Sequence, residues 1–470
     1  MNNNLVLAST MLGLTSPFLA NAQNSPASQS RPNILVFLID DAGYNDFGFM
    51  GSKEIVTPHI DALTRQGVVL DDAHVAATVS SPSRACLITG RYGHHFGYEC
   101  NMNDDTNGLP LSEETMGDIF HRNGYRTAAI GKWHLGKLPG MHPNERGFEM
   151  FYGMMGGHRE YFYNEKGSDR PGFEQNLQLN GQKLKFDGYL TDRFTDKAIE
   201  FIEDKKEDKP FFLYLSYNAV HTPMQATEED MARFKGHPRQ KLAAMTWALD
   251  RGIGRIVESL KANGQWDNTL IFFLSDNGGA LINDACNDPL KGFKGNKFEG
   301  GHRVPYAVVW NGQIPAGKHF DGLSSSLDIL TTAMDAAGIE TSKNKLDGVS
   351  LLPYLKGEKK GDPHESLFWR KMDTRAMRHG DYKLIITHGV DTVLYHLKDN
   401  LDETRNLKDQ KPKVLRKMRK ELSRWEKEEC IKPLWIEEGW GPTTNGIHRQ
   451  LMKNEIKTPL DWRQNRKKKK

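Results

Sequence analysis

Asn33-Ile34-Leu35-Val36-Phe37-Leu38-Ile39-Asp40-Asp41 is an apolar, β-rich run that stops abruptly at two adjacent acids. A short continuous run of this kind has no alternation of polar and apolar residues. It therefore reads as a strand buried on both faces of a parallel sheet rather than on one. Runs of the same character recur at Thr127–Ile130, Phe211–Leu215, Thr269–Leu274 and Tyr306–Trp310. Between them, Asp192–Asp204 and Lys241–Asn263 carry helical periodicity. Strand and helix alternate, which predicts an α/β core: a large, mixed but mostly parallel sheet sandwiched by helices.

The texture changes near Asp347. Arg375–Ile386 and Thr392–Leu397 read as hairpin strands, and Lys411–Glu429 as a charged helix. Together they predict a smaller C-terminal antiparallel sheet with a covering helix. The expected division is a leader over 1–22, a linker over 23–30, a catalytic domain over 31–355 and the antiparallel subdomain with a basic tail over 356–470.

Composition narrows the function. The chain has 470 residues, with Lys+Arg 63 against Asp+Glu 60, and a formal net charge of +3. That balance argues against a dedicated nucleic-acid binder. Hydrophobic residues at 38% suffice for a sizeable core and exclude wholesale disorder. The four cysteines (Cys86, Cys100, Cys286, Cys430) have no CxxC spacing, so a zinc ribbon is not indicated. Leu5–Ala22 is apolar and ends in Ala20-Asn21-Ala22, a small-x-small cleavage pattern, although Met1–Asn4 lacks basic residues. It reads as a secretion signal, too broken by Ser, Thr, Gly and Pro for a membrane span. A secreted or periplasmic chain is expected.

Several strands run into polar residues. The first ends at Asp40-Asp41, the second in Gly131-Lys132-Trp133-His134, the third leads to Tyr217-Asn218-Ala219-Val220-His221, and the fourth to Ser275-Asp276-Asn277. In open α/β sheets, ligands bind beyond the carboxyl ends of the strands. Any one terminus could simply start a turn; all of them together point to a site. Asp40, Asp41, Asp276 and Asn277 offer hard oxygen donors, which suit Ca²⁺ or Mg²⁺ rather than zinc. Within Ser80-Ser81-Pro82-Ser83-Arg84-Ala85-Cys86-Leu87-Ile88-Thr89-Gly90-Arg91, Ser81 suits a helix cap, Pro82 the first turn and Gly90 the stop. Free N–H groups beside Ser80, with Arg84 one turn in, would attract an anion.

Ser80-x-Pro82-Ser83-Arg84-x-x-Leu87-x-Thr89-Gly90-Arg91 resembles the signature of the formylglycine-dependent sulfatases, within the alkaline-phosphatase-like superfamily. Gly131–His134, Ser275–Gly278, Lys291–Lys294 and Glu299–Pro305 extend the resemblance over roughly residues 31–407. It implies a sulfuric ester hydrolase in which Ser80 is converted to formylglycine (3-oxoalanine), whose hydrate is the nucleophile. It also implies one Ca²⁺ held by Asp40, Asp41, Asp276 and Asn277, with modified Ser80 completing the shell. Arg84 and Lys132 would hold the hydrate, His134 would help release the product sulfate, and His221 and Lys294 would bind sulfate and assist the leaving alcohol. Serine instead of the commoner cysteine implies a bacterial, serine-type formylglycine-generating maturation enzyme as a partner.

Gly147-Phe148-Glu149 and Gly157-His158-Arg159 resemble the family's cleft wall, so His158 either contacts the sulfated sugar or packs in its loop. Trp435, Trp440 and Trp462 lie among basic residues, a mixture that suits sulfated sugars: polyanions with apolar ring faces. Sulfated algal-type polysaccharide is the expected substrate. The rivals are a phosphate or phosphonate monoester hydrolase of the same superfamily, and a sulfated-glycan-binding protein without catalysis.

Overall fold

The computed structural model describes residue 1 and residues 31–102, 106–163, 177–204 and 208–456. Almost all of the expected leader, the linker, and the basic tail with Trp462 lie outside the described residues. The described residues from Arg31 to Ile456 form one compact unit.

The large sheet has ten strands. In spatial order they are β11 (Lys318–Phe320), β2 (Val68–Leu70), β10 (Tyr306–Val309), β9 (Thr269–Ser275), β1 (Asn33–Ile39), β8 (Phe211–Ser216), β4 (Arg126–Lys132), β5 (Met150–Met154), β6 (Gln178–Leu179) and β7 (Gln182–Lys183). β1 is flanked in parallel by β8 and β9, and β4 runs parallel to both β8 and β5. β10 joins β9 and β2 antiparallel, as do β6 and β7 at the other edge. The sheet is thus mixed and mostly parallel. Every residue of β1, β8 and β9 is buried, as uninterrupted apolar runs require when helices cover both faces.

One face carries α1 (Pro58–Thr64), α4 (Leu190–Glu203), α5 (Glu228–Arg233) and α6 (Gln240–Ala262); the other carries α2 (Ser80–Thr89), α3 (Met116–Arg122), α7 (Asp328–Ala337) and α8 (Leu352–Leu355). Alternate β1 residues divide between the two cores, Ile34, Val36 and Leu38 on one side and Leu35, Phe37 and Ile39 on the other. Two short strands, β3 (Ala73–His74) and β12 (Ser324–Ser325), pair beside the main sheet.

The second sheet is an antiparallel meander of β13 (Ser366–Lys371), β14 (Thr374–His379), β15 (Tyr382–Thr387) and β16 (Asp391–His396). Both of its faces are packed: Trp369, Ala376 and Ile385 lie in one core, and Met377, Leu384 and Leu394 in another. The stretch Arg375–Ile386 holds parts of two strands, because the chain reverses at Gly380, where φ is 51°. α9 (Pro412–Glu429) lays Met418, Leu422 and Trp425 on this sheet, and α10 (Trp440–Met452) closes its other core with Ile447 and Leu451.

The capping expected for α2 is different in the structure. The helix begins at Ser80 with Val79 as its cap residue. Ser81 lies inside it, and its hydroxyl donates to the His134 carbonyl (2.8 Å) and meets the Tyr98 hydroxyl (2.5 Å). The Ser81 N–H donates to Asn101 Oδ1 (3.1 Å), and the Ser83 N–H to the Val79 carbonyl (3.2 Å). Those first-turn donors are therefore engaged rather than open to an anion. Gly90 does end the helix, in the left-handed conformation that a residue lacking Cβ adopts readily.

Candidate active site

The carboxyl ends of β1, β9, β4 and β8 bring their polar residues to one place, where α2 begins. Asp40 and Asp41 follow β1, Asp276 and Asn277 follow β9, and Lys132 ends β4. Asp41 has a left-handed φ of 62°, and its N–H donates to Asp276 Oδ1 (3.2 Å), so the strand end bends toward its neighbour. Carboxylate oxygens of Asp40, Asp41 and Asp276 all lie within 4.8 Å of one another and are buried. The Ser80 hydroxyl is within 3.2 Å of both Asp40 Oδ1 and Asn277 Oδ1. Asn277 Nδ2 donates to Asp41 Oδ1 (2.8 Å), which orients its amide oxygen toward Ser80.

Three buried acids in such proximity demand positive charge. Arg84 reaches from α2 to Asp276 Oδ2 through Nε (3.0 Å) and Nη2 (2.8 Å), and also donates to Ser216 Oγ. Lys132 Nζ lies 2.6 Å from Asp40, and Lys294 Nζ 2.7 Å from Asp41. Burial opposes ionisation of Asp40, but Lys132, His221 and Arg84 outweigh it and hold its pKa below the usual carboxylate range. Asp41 behaves likewise, with burial overcome by Lys294 and His221. Burial lowers the Lys132 pKa despite Asp40. For Lys294, burial is outweighed by Asp41, and the pKa rises.

His221 Nδ1 donates to the Thr222 carbonyl (2.7 Å), which leaves Nε2 facing Asp41 at 3.6 Å. Burial lowers its pKa, against the pull of Asp40 and Asp41. The His158 ring stacks 6.2 Å from that of His221, and burial with the nearby His221 takes its pKa down to about 4. Burial, Lys132 and Arg84 push His134 well below its ordinary value.

Ser80, Lys132, His134, His158, His221 and Lys294 line a single cavity of about 820 Å³. Arg84 and the acids sit behind its floor. All the expected site residues thus converge. The donor set also fits the implied metal: three carboxylates and an amide oxygen, with no sulfur or imidazole among them, suit a hard divalent cation.

Sequence reasoning missed one wall. Asn101, Glu437, Gly439, Trp440 and Thr444 border the same cavity, and of these only Trp440 stood out in the sequence, as an aromatic among basic residues. After α9 the chain turns back across the loop that follows α2. The Ile431 N–H donates to the His94 carbonyl and the Leu434 N–H to the Gly97 carbonyl, while Trp435 packs edge-on against Tyr98. Such a reversal leaves no local periodicity to read.

The family profile described as Sulfatase matches residues 32–339, and that described as N-sulphoglucosamine sulphohydrolase, C-terminal, matches residues 294–428. Residues 429–456 lie beyond both. The chain is 34% identical to the uncharacterized sulfatase YdeN of Escherichia coli, over 73% of this chain and 69% of that one. It is 32% identical to human N-acetylgalactosamine-6-sulfatase, over 69% and 66%. The crystal structure of Ps i-CgsB in complex with k-i-k-neocarrahexaose superposes with a TM-score of 0.83 at 37% identity, over 90% of this chain and 98% of that one.

Proposed function

The chain belongs to the sulfatase family, and from that premise we propose that this sulfuric ester hydrolase acts on a sulfated algal-type polysaccharide or its oligosaccharides. The observation that carries the catalytic reading is the convergence of Ser80, Lys132, Lys294 and three imidazoles on one cavity above a buried acidic cluster. The substrate reading rests on the 37% identity to a protein solved with a carrageenan hexasaccharide. Sulfatases generally use formylglycine and Ca²⁺; here Ser80 is the residue to be converted, and Asp40, Asp41, Asp276 and Asn277 the ion's ligands. When formed, formylglycine would supply, as its hydrate, the nucleophile toward sulfur, and a bound Ca²⁺ would supply positive charge for the sulfuryl oxygens.

The chain's own residues do the rest. Arg84 keeps Asp276 and Asp40 paired and so fixes the floor of the site. Lys132, paired with Asp40, and Lys294, paired with Asp41, line the cavity together with Ser80 and attract the sulfate. With Nδ1–H committed to Thr222, His221 can give a proton from Nε2 to the departing sugar oxygen only as the doubly protonated ring, the form that Asp40 and Asp41 favour, and Lys294 can stabilise the charge there. His134, held neutral, can accept the proton whose removal frees the product. His158, stacked beside His221, borders the sugar.

A serine-type maturation enzyme and a secreted or periplasmic location in a bacterium complete the proposal; the leader pattern supports the latter. Among the described residues no helix is long and apolar enough to cross a membrane. The test is release of inorganic sulfate from a carrageenan hexasaccharide and from 4-nitrophenyl sulfate, with 4-nitrophenyl phosphate as the competitor. The Ser80 peptide of the active material should be about 2 Da lighter than the unmodified peptide. Faster phosphate than sulfate release, or full activity with an unmodified Ser80, would overturn the reading.

A further inference from the structure

Trp440 is the first residue of α10, at the mouth of the catalytic cavity, and it is 51% exposed. An indole left half in water at such a place is unusual, because its apolar surface would normally be covered. Its support is rigid. Glu437 is almost fully buried, with Oε2 2.7 Å from Lys371 Nζ of β13 and Oε1 accepting from Asn101 Nδ2 (3.3 Å). Trp435 Nε1 donates to the Asn101 carbonyl (2.8 Å). One turn into α10, Thr444 packs so closely on Gly295, beside Lys294, that a Cβ there would lie 2.9 Å from it. The platform is therefore fixed to both the α2 side and the Lys294 loop.

The cavity is graded. Its floor is polar at Ser80 and charged at Lys132 and Lys294, whereas its mouth presents the Trp440 indole and the side chain of Ile282, 41% exposed. A sulfate ester seated on the floor would leave the next part of its glycan beside the indole. We propose that Trp440 is a specificity-determining residue: it stacks against the apolar C–H face of the sugar ring adjoining the sulfated one, and so selects an oligosaccharide over a small sulfate ester. This rests on the sulfated-polysaccharide reading above and adds to it the residue that reads the chain. The segment that carries Trp440 lies beyond the residues matched by the two family profiles, as expected of a part that sets substrate rather than chemistry.

The test is binding, measured by calorimetry in a Ser80→Ala background where turnover cannot interfere. The probes are a carrageenan hexasaccharide and 4-nitrophenyl sulfate. Trp440→Ala should raise the ratio of the two dissociation constants against the hexasaccharide by roughly tenfold to hundredfold, the scale expected when one large apolar side chain no longer covers the sugar. Trp440→Phe should restore most of it, which a merely structural role would not require. A ratio that stays within twofold, or a hexasaccharide that does not bind, overturns the proposal. Sulfate release from 4-nitrophenyl sulfate by the unsubstituted chain judges the hydrolase reading separately, so the two can fail independently.

Discussion

His221 and Lys294 come from different loops, yet both approach Asp41, at 3.6 and 2.7 Å. A sugar alkoxide is a strong base and needs a proton or close positive charge as it leaves; a nitrophenolate needs little. His221→Ala and Lys294→Ala should therefore lose about 10²–10⁴ in kcat/KM on a sulfated sugar, and clearly less on 4-nitrophenyl sulfate. Steady-state kinetics on both substrates, with folding followed by circular dichroism, decide it; equal losses in folded variants leave only sulfate binding. Legibility differed among these residues for a physical reason. Asp40, Asp41 and Asp276 stand at strand ends, where an apolar run stopping at an acid can be read directly. Lys294 sits in a loop without periodicity, and only the family resemblance singled it out. Glu437 was beyond reach, because its pairing with Lys371 depends on a chain reversal set by tertiary hydrogen bonds.

Among the elements, β15 ties the second sheet to the first through Lys383. Its ammonium lies 2.9 Å from Glu299 and 2.8 Å from Glu403, all three wholly buried. It also donates to His302 Nε2 (3.1 Å), which fixes a chain of tautomers. His302 Nδ1 must then donate to His74 Nδ1 (2.9 Å), and His74 Nε2 to Asp72 (2.8 Å). His74, Glu299 and His302 have the proximity of a metal site, but Arg378 and Arg303 crowd Glu299 at 3.3 and 3.5 Å. The surrounding cations make it an ion-pair network. Lys383→Met keeps the stem but takes the ion-pair partner from buried Glu403, while Glu299 retains Arg378 and Arg303, and urea unfolding should register a loss of about 3–5 kcal/mol. A loss within about 1 kcal/mol would show that the network is not holding the two sheets together. The strands themselves were legible because both-face burial writes itself as continuous apolar sequence. β13 was not, since three consecutive apolar residues, Leu367-Phe368-Trp369, hide the alternation of its burial in the sequence.

Across the whole molecule, burial holds many imidazoles neutral. It depresses the pKa of His74 and His302, takes His94 down to about 4 and His448 to about 3. A histidine whose folded pKa lies below its unfolded value of about 6.5 contributes its full stability above that pH and loses it as pH falls. His95 and His364 run the other way: Asp347 and Asp328 outweigh burial and raise them. The depressed group is larger, so Tm should decline as pH drops below about 6.5. His94→Gln removes one such titration. Its stability deficit against the parent should shrink toward acid pH, by about 1.4 kcal/mol per unit between roughly pH 6.5 and 4; parallel curves would refute this. Another consequence follows from α2, which is buried along its entire length, Ser80 included. No second protein can close its own catalytic groove around that serine while the helix is docked. For the conversion proposed at Ser80, timing is thus decisive: the residue must be altered while the chain is still emerging or unfolded. A modifying partner of the kind proposed would then have to act in the producing cell during synthesis, and treating purified, folded chain with it would come too late.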